Sequence, residues 1–415
     1  MNVAWLRKRL RRAPPRAIDL GLAVVVAAAV TIAINVAREP GARPTDAIAY
    51  GLGLTIAALV MVRRRWPLAV LAASVVILQA YFVLNYPGIS AAVTLAVAMY
   101  TAVAAGHLRW SLLVAAWYWF GALLGRGFLP EPEPLVSVFE DLVRDGSLLV
   151  AVLLLGDAVR SRRMARESHE QELRVAQLIQ QRFLPRELPR LSGWRVSAYY
   201  QPAHAVGGDF YDFLELPGGE VGLCVGDVTD KGIPAALVMA TTHSILRGDT
   251  PTSASPSTVL ERANNRLYSD IPAHMFVTCL YAVLDPATGR LRFANAGHTL
   301  PYVADANGVV QLRATGMPLG ALPDIEYEEK EAFLDPGDSI LFLSDGLVEA
   351  HSPAREMFGL PRLEKVVENS GRGDRLIDEC LTELRKFVGR DWEQEDDITL
   401  VTLTHQRSVI RGDRC

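Results

Sequence analysis

Two hydrophobic patterns divide the chain. Residues 1–160 break into apolar runs near 18–37, 46–62, 67–84, 89–106, 109–128 and 140–159. Each is close to the roughly 17–25 residues that a helix needs to cross a bilayer. The first five hold almost no charge. The sixth is weaker: Glu140, Asp141, Arg144 and Asp145 crowd its start, Asp157 sits near its end, and only Ser147 to Gly156 is cleanly apolar. From 158 to 184 the chain is rich in Arg, Glu and Gln, with Leu173, Ala176, Ile179 or Gln180, and Phe183 at helical spacing, before Pro185 and Pro189. That predicts one helix stopped by proline. After 193 the period shortens to β runs at 194–201, 208–216, 220–227, 276–284, 289–295, 300–304, 326–333, 339–344 and 397–404. Helical patterns interrupt them at 233–247, 256–269, 358–369 and 373–389.

The expected organisation is a transmembrane domain at 1–159, a linker helix at 160–192, a globular domain at 193–405 and a tail at 406–415. Pro217-Gly218-Gly219 and Asp285-Pro286-Ala287-Thr288-Gly289 are turn chemistry between strands, which predicts antiparallel hairpins. Many antiparallel strands with helices in pairs predict an α+β fold, a sheet packed on a sheet with helices outside. The N-terminal part is expected to be an all-α bundle of about six membrane helices. Residues 249–257 form one low-complexity loop.

Basic residues alternate between the loops. Arg7, Lys8, Arg9, Arg11, Arg12 and Arg16 precede the first run, Arg63, Arg64 and Arg65 follow the second, Arg109 follows the fourth, and Arg160, Arg162, Arg163 and Arg166 follow the sixth. The opposite loops offer Arg38 and Arg43, then none, then Arg126 beside Glu131 and Glu133. The positive-inside rule then puts the N-terminus and everything after 160 in the cytoplasm of a multi-pass plasma-membrane protein in contact with the lipid bilayer. A cleaved signal peptide would show the same basic start, but Asn35-Val36-Ala37 lacks a small residue three before the cut and further apolar runs follow. The linker reads either as a solvated connector or as a short coiled-coil pair joining two chains into a homodimer, with a seam short of several heptads.

Half the 415 residues are hydrophobic and the mean hydropathy is +0.18. The net charge of −4 hides an asymmetry: residues 1–160 hold 15 Lys+Arg against 9 Asp+Glu, and residues 161–415 hold 27 against 37. An acidic second half argues against nucleic acid as a partner. Cys224, Cys279, Cys380 and Cys415 fit no zinc spacing, and a reducing compartment is the simple reading.

Aspartates end apolar runs in four places: Gly207-Gly208-Asp209-Phe210-Tyr211-Asp212, Gly226-Asp227-Val228-Thr229-Asp230-Lys231-Gly232, Ser344-Asp345-Gly346 and Asp396-Asp397-Ile398-Thr399-Leu400. Each alone reads as a turn residue. Together, on buried strands, they would gather carboxylates that repel one another. A hard divalent cation relieves that repulsion, because Mg²⁺ and Mn²⁺ prefer oxygen ligands. Neighbouring glycines would let backbone approach.

In this order the four motifs resemble the protein phosphatase 2C (PPM) superfamily, in its SpoIIE-like bacterial branch. The run from Ala176 to Pro185, Asn295-Ala296-Gly297-His298 and Met317-Pro318-Leu319-Gly320 add to the resemblance, which covers about 172–405. It implies the PPM phosphatase fold and a metal-dependent serine/threonine protein phosphatase with two Mn²⁺ or Mg²⁺ ions. It also implies a phosphorylated regulatory protein, an anti-sigma-factor antagonist, as substrate. By that resemblance Asp227 bridges the metals with the Val228 carbonyl beside it, Asp345 and Asp396 complete the sites, Asp209 binds directly or through water, and Asp397 is the second member of its doublet. Metal-activated water replaces a catalytic side chain. The eukaryotic branch holds the substrate phosphate with an early arginine that has no counterpart here, which leaves phosphate binding to the metals, aided by Lys231.

No cysteine has Arg six positions on, and no Walker A sequence is present. A membrane receptor with a non-catalytic, partner-binding cytoplasmic domain is the alternative, against which stands the retention of every family aspartate. A diguanylate cyclase is disfavoured because Phe210 stands where Gly207-Gly208-Asp209 would need a second acid. His298 reads as a general acid or, more simply, as a turn histidine held by its neighbours. Asp230 either adds a metal contact or caps the helix that follows. Met239 and Met275 read as core, Tyr199 and Tyr200 as strand residues, and His169-Glu170 lacks the second histidine of a zinc helix.

Overall fold

The computed structural model describes residues 14–37, 42–127, 135–249, 255–370, 375–389 and 392–407. Arg7 to Arg12, Arg38, Glu131, Glu133, most of the 249–257 loop, Cys415 and most of the 406–415 tail lie outside the described residues. The chain divides into two compact units, Met1–His169 and Glu170–Cys415.

The first unit is helical: α1 (Pro15–Val36), α2 (Ala47–Leu59, extended by a 3-10 turn Val60–Val62), α3 (Pro67–Val83), α4 (Ala91–Ala104), α5 (Leu108–Gly127) and the first part of α6 (Leu135–Gln180). Proline starts α1 and α3, where its missing N–H costs nothing. Asp46 caps α2 by accepting from the Ile48 and Ala49 amides. Val30, Ile34, Ile56, Leu71, Leu78, Leu95 and Met99 form the core. Among the described residues α1 alone is long and apolar enough to cross a membrane by length and composition; α2 with its extension, α3, α4 and Leu108–Leu124 are shorter apolar helices. Six expected spans thus correspond to five apolar helices and a sixth segment that continues without a break into the linker.

Polar groups tie these helices together. Asp19 pairs with Arg63 at 2.8 Å and Arg64 at 2.7 Å, and Arg63 also donates to Thr101 Oγ1 at 2.8 Å. Asp145 of α6 accepts from Ser90 Oγ and the Ala91 amide at the start of α4.

In the second unit α6 ends at Gln180, not at Pro185; the 181–183 turn follows, its Arg182 and Phe183 amides bonded to the Ile179 and Gln180 carbonyls. Two antiparallel sheets then form. One has the order β1 (Trp194–Gln201), β10 (Ile398–His405), β9 (Ser339–Leu343), β6 (Tyr302–Asp305), β7 (Gly308–Gln311). The other has the order β2 (Phe210–Glu215), β3 (Val221–Val228), β4 (Val277–Asp285), β5 (Arg290–Ala296), β8 (Glu329–Phe333). Strand side chains alternate between faces. Val225, Leu280, Phe293, Ile340, Phe342, Val401 and Leu403 therefore meet in one buried layer drawn from both sheets. The opposite face of the second sheet packs under α7 (Ile233–Asp249) and α8 (Pro256–Asp270), and that of the first under α9 (Leu360–Ser370) and α10 (Leu376–Val388).

The expected strands, helices and both hairpins are present. At the second hairpin Asp285 accepts from the Ala287 amide and Thr288 Oγ1, and Gly289 supplies the positive φ of 75°. The edge strand β7 is additional; Ala306-Asn307 turns the chain into it, and the Asn307-Gly308 pair is a hairpin signal the pattern reading passed over.

Candidate active site

The expected carboxylates come from four strand ends. Asp227 lies near the end of β3, Asp209 immediately before β2, Asp345 in the 3-10 turn after β9, and Asp396 and Asp397 immediately before β10. Hydrogen bonds stitch these ends together. Ser344 and Thr399 exchange backbone and side-chain bonds at 3.0 Å, Ser344 Oγ donates to the Asp397 carbonyl at 3.2 Å, and Thr399 Oγ1 donates to Asp209 Oδ2 at 2.6 Å. Three glycines make room. A Cβ on Gly207 would overlap the Asp397 carboxylate, one on Gly208 would stand 2.8 Å from the Val228 carbonyl oxygen, and one on Gly346 would overlap the Asp397 carbonyl.

The resulting field is strongly negative. Burial pushes the Asp209 carboxyl well above its usual range, and Asp227 and Asp397 push it further. Asp227, hydrogen-bonded to Asp209, is raised to about 7 by burial and then by Asp345, Asp396 and Asp397. Asp345 is raised to about 6 by burial, Glu349 and Asp396. The Tyr200 hydroxyl, buried and without a hydrogen-bond partner, faces Asp397, Asp209 and Asp227, which with burial raise its pKa. The strand reading of Tyr200 missed this, because only the fold shows which face of β1 turns toward the aspartates.

Asp397 behaves differently from its neighbour. Its two oxygens accept from the amides of Ala203 at 2.7 Å, Gly208 at 2.7 Å and Asp209 at 3.3 Å, so it anchors the 203–209 loop. Asp396 faces Lys231, whose Nζ lies 3.0 Å from Oδ2 and donates to the Glu395 carbonyl at 2.6 Å. Asp212 belongs elsewhere: buried, it pairs with Arg247 Nε at 2.9 Å and lies 3.0 Å from His243 Nε2, holding α7 to β2. Asp230 is exposed at φ 73°, with His274 Nε2 3.8 Å away.

His298 takes the simpler of its two readings. Asn295 bonds both its backbone amide and carbonyl, Nδ1 meets Thr278 Oγ1 at 2.9 Å, and burial lowers its pKa to about 4. It is a neutral turn residue near pH 7 and holds no extra proton to donate. The three described cysteines are buried and free, and burial raises each thiol. None has the lowered pKa of a nucleophile.

Among the described residues no group of three or more His, Cys, Asp or Glu side chains is arranged so that it could hold a metal ion. The donor chemistry nevertheless fits a hard divalent cation. Every group is an oxygen, the carboxylates raise one another's pKa, and an orphaned hydroxyl points among them.

Residues 217–406 match the family "Stage II sporulation protein E (SpoIIE)", a span that begins after Asp209 and takes in the other three motifs. Residues 4–163 match a domain of unknown function, DUF7134. The chain is 31% identical to "Protein IcfG" of Synechocystis sp. over 56% of its own length and 41% of that protein. It is 28% identical to "Phosphoserine phosphatase RsbU" of Bacillus subtilis, over 67% of its length and 84% of that protein. The SiaA-PP2C domain of Pseudomonas aeruginosa shares the fold with a TM-score of 0.52 at 24% identity, over 58% of this chain and 98% of that one. The chain thus spans less than half of the first of these relatives and most of the second. With two antiparallel sheets flanked by paired helices and aspartates at the strand ends, the second unit is thus similar to SpoIIE/PP2C-type phosphatase domains.

Proposed function

We propose that the chain is a membrane-anchored, metal-dependent serine/threonine protein phosphatase of bacterial signalling. Its expected substrate is a phosphorylated regulatory protein of the anti-sigma-factor-antagonist kind. The observation that carries this reading is the convergence of carboxylates from four strand ends into one mutually repelling group, with no activated cysteine among the described residues.

Asp227 with the Val228 carbonyl, Asp345, Asp396 and Asp209 would hold two Mn²⁺ or Mg²⁺ ions. Asp397 stands behind them, its oxygens bound to the loop that carries Asp209. When bound, the ions supply charge neutralisation of the phosphoryl group and activation of water, so that no protein nucleophile is required. Lys231 sits at the half-exposed edge against Asp396, where releasing that pair would free its ammonium for a substrate phosphate. Thr399 and Ser344 fix the carboxylate positions before substrate arrives. A full-length preparation in detergent should release phosphate from phosphoserine antagonist proteins with Mn²⁺, lose that activity in chelator and regain it on Mn²⁺ addition. Full turnover after dialysis into excess chelator would overturn the metal reading.

Anchoring rests on the outward faces of the first unit. Leu20, Val24, Val25 and Ile32 on α1 and Leu113, Trp117, Phe120 and Leu123 on α5 are exposed, as a lipid-facing helix requires. By the positive-inside rule the basic loops support a cytoplasmic N-terminus and a cytoplasmic phosphatase domain. A reporter fused after Arg166 should be cytoplasmic, and an external reporter there would reverse the topology. Val175, Leu178 and Ile179, exposed on α6, favour a homodimer through the linker helix over a plain connector.

A further inference from the structure

We infer that Gln180 is a positioning residue: the last residue of α6 sets the geometry of the loop that presents Asp209 and so sets metal affinity. The inference rests on the phosphatase reading above and gives a role to one residue of the Ala176–Pro185 run.

The segment between β1 and β2 has no ladder of its own, so its backbone polar groups must find partners elsewhere. Asp397 takes the amides of Ala203, Gly208 and Asp209. Gln180 takes both backbone groups of Gly207. Its Nε2 donates to the Gly207 carbonyl at 2.5 Å, and its Oε1 accepts from the Gly207 amide at 3.0 Å. One planar amide offers a donor and an acceptor together, which neither a carboxylate nor an apolar side chain does. Gln180 is 6% exposed, whereas its neighbour Ile179 is 55% exposed. The helix therefore turns its polar residue inward at this point and leaves the apolar one outside, an arrangement that costs desolvation unless every bond is made.

Gly207 is gripped from both sides. A side chain there would strike the Asp397 carboxylate and stand 2.7 Å from the Tyr200 hydroxyl, so the loop cannot slide to a new partner. Three residues beyond Gln180, Phe183 meets His243 of α7 edge-on at 5.6 Å, and His243 lies against Asp212 of β2. The end of α6 and the turn after it thus contact, respectively, the Asp209 loop and the helix that follows Lys231. Unwinding or turning that end removes the Gln180 amide and leaves two buried backbone groups of Gly207 unpaired. Asp209 is two residues away.

The test is direct Mn²⁺ titration of the full-length protein in detergent, read by binding calorimetry and not only by turnover. Gln180→Met keeps the length of the side chain and loses both bonds; Gln180→Glu keeps the acceptor and loses the donor. Gln180→Met should weaken Mn²⁺ binding by about 10–100-fold, the usual cost of losing an outer partner of a metal site. Gln180→Glu should fall between it and the parent. Saturating Mn²⁺ should restore most of kcat in both. Should Gln180→Met fail to fold, Gln180→Glu carries the test. A lowered Tm with unchanged Mn²⁺ affinity would make Gln180 a structural cap and overturn the inference. Absence of Mn²⁺ binding by the parent protein would instead overturn the metal reading itself.

Discussion

Replacing Asp227 or Asp345 by Asn should abolish phosphoserine hydrolysis while leaving the metal-free protein folded. Each substitution removes one negative oxygen donor and keeps the shape of the side chain. Loss of a direct ligand should exceed the roughly 10–100-fold effect of losing an outer partner, so turnover at saturating Mn²⁺ should fall by more than about 100-fold. Stability should move the other way. In the folded, metal-free protein the Asp227 carboxyl titrates at about 7, above its ordinary value of 3.8. A raised folded pKa means that the folded state binds the proton more tightly than the unfolded chain. Its contribution is fully present below pH 4 and is lost as pH rises through 7. At pH 8 the parent therefore carries an uncompensated buried charge that the neutral amide of the variant does not. The Tm of metal-free Asp227→Asn should equal or exceed that of the parent at pH 8, with the advantage gone near pH 4. Wild-type kcat in either variant would remove that residue from the metal set. A lower Tm at pH 8 would mean that the carboxylate serves the fold and not an ion.

The strand ends were legible in the sequence because a carboxylate closing an apolar run is a local pattern. Ile340-Leu341-Phe342-Leu343 leads into Asp345, and Asp396-Asp397 opens Ile398 to Leu403, with no need to know which strands pair. The two sheets followed from hairpin turns and period-2 runs for the same reason. What pattern could not separate was Asp396 from Asp397. Only the fold shows that the Asp397 oxygens are taken by three amides about 190 residues earlier. Gln180 was left level with Ile179 because helical spacing alone does not say which edge of a stripe is buried. Asp212 sat in the same motif as Asp209 but turns toward Arg247, a partner 35 residues on. In the first unit, hydropathy found the apolar runs but not the pairing of Asp19 with Arg63, since the two are 44 residues apart. It also set span lengths by composition, whereas α2, α3 and α4 are shorter than the runs that announced them.

Gly346→Ala should be among the most damaging single substitutions in the second unit. Gly346 is buried in the turn after β9, directly against the peptide that joins Asp397 to β10. Its backbone is not in the left-handed region, so conformational strain is not the issue. The obstacle is space. A Cβ there overlaps the Asp397 carbonyl oxygen and stands 2.9 Å from its carbon, and neither atom can rotate away as a side chain would. Relief requires moving β9's turn from β10, which pulls apart Ser344 and Thr399 and with them the bond from Thr399 to Asp209. Overpacking of a tight core costs about 1–3 kcal/mol, and more where backbone must shift. A fall in Tm of several degrees together with loss of turnover is expected. Gly248, near the end of α7, has nothing within 4 Å of the added Cβ. Gly248→Ala should therefore leave turnover intact. If Gly346→Ala matched Gly248→Ala in both Tm and turnover, the close contact between the Asp345 turn and the Asp397 peptide would not exist. The carboxylates on either side would then lack the framework that holds them together.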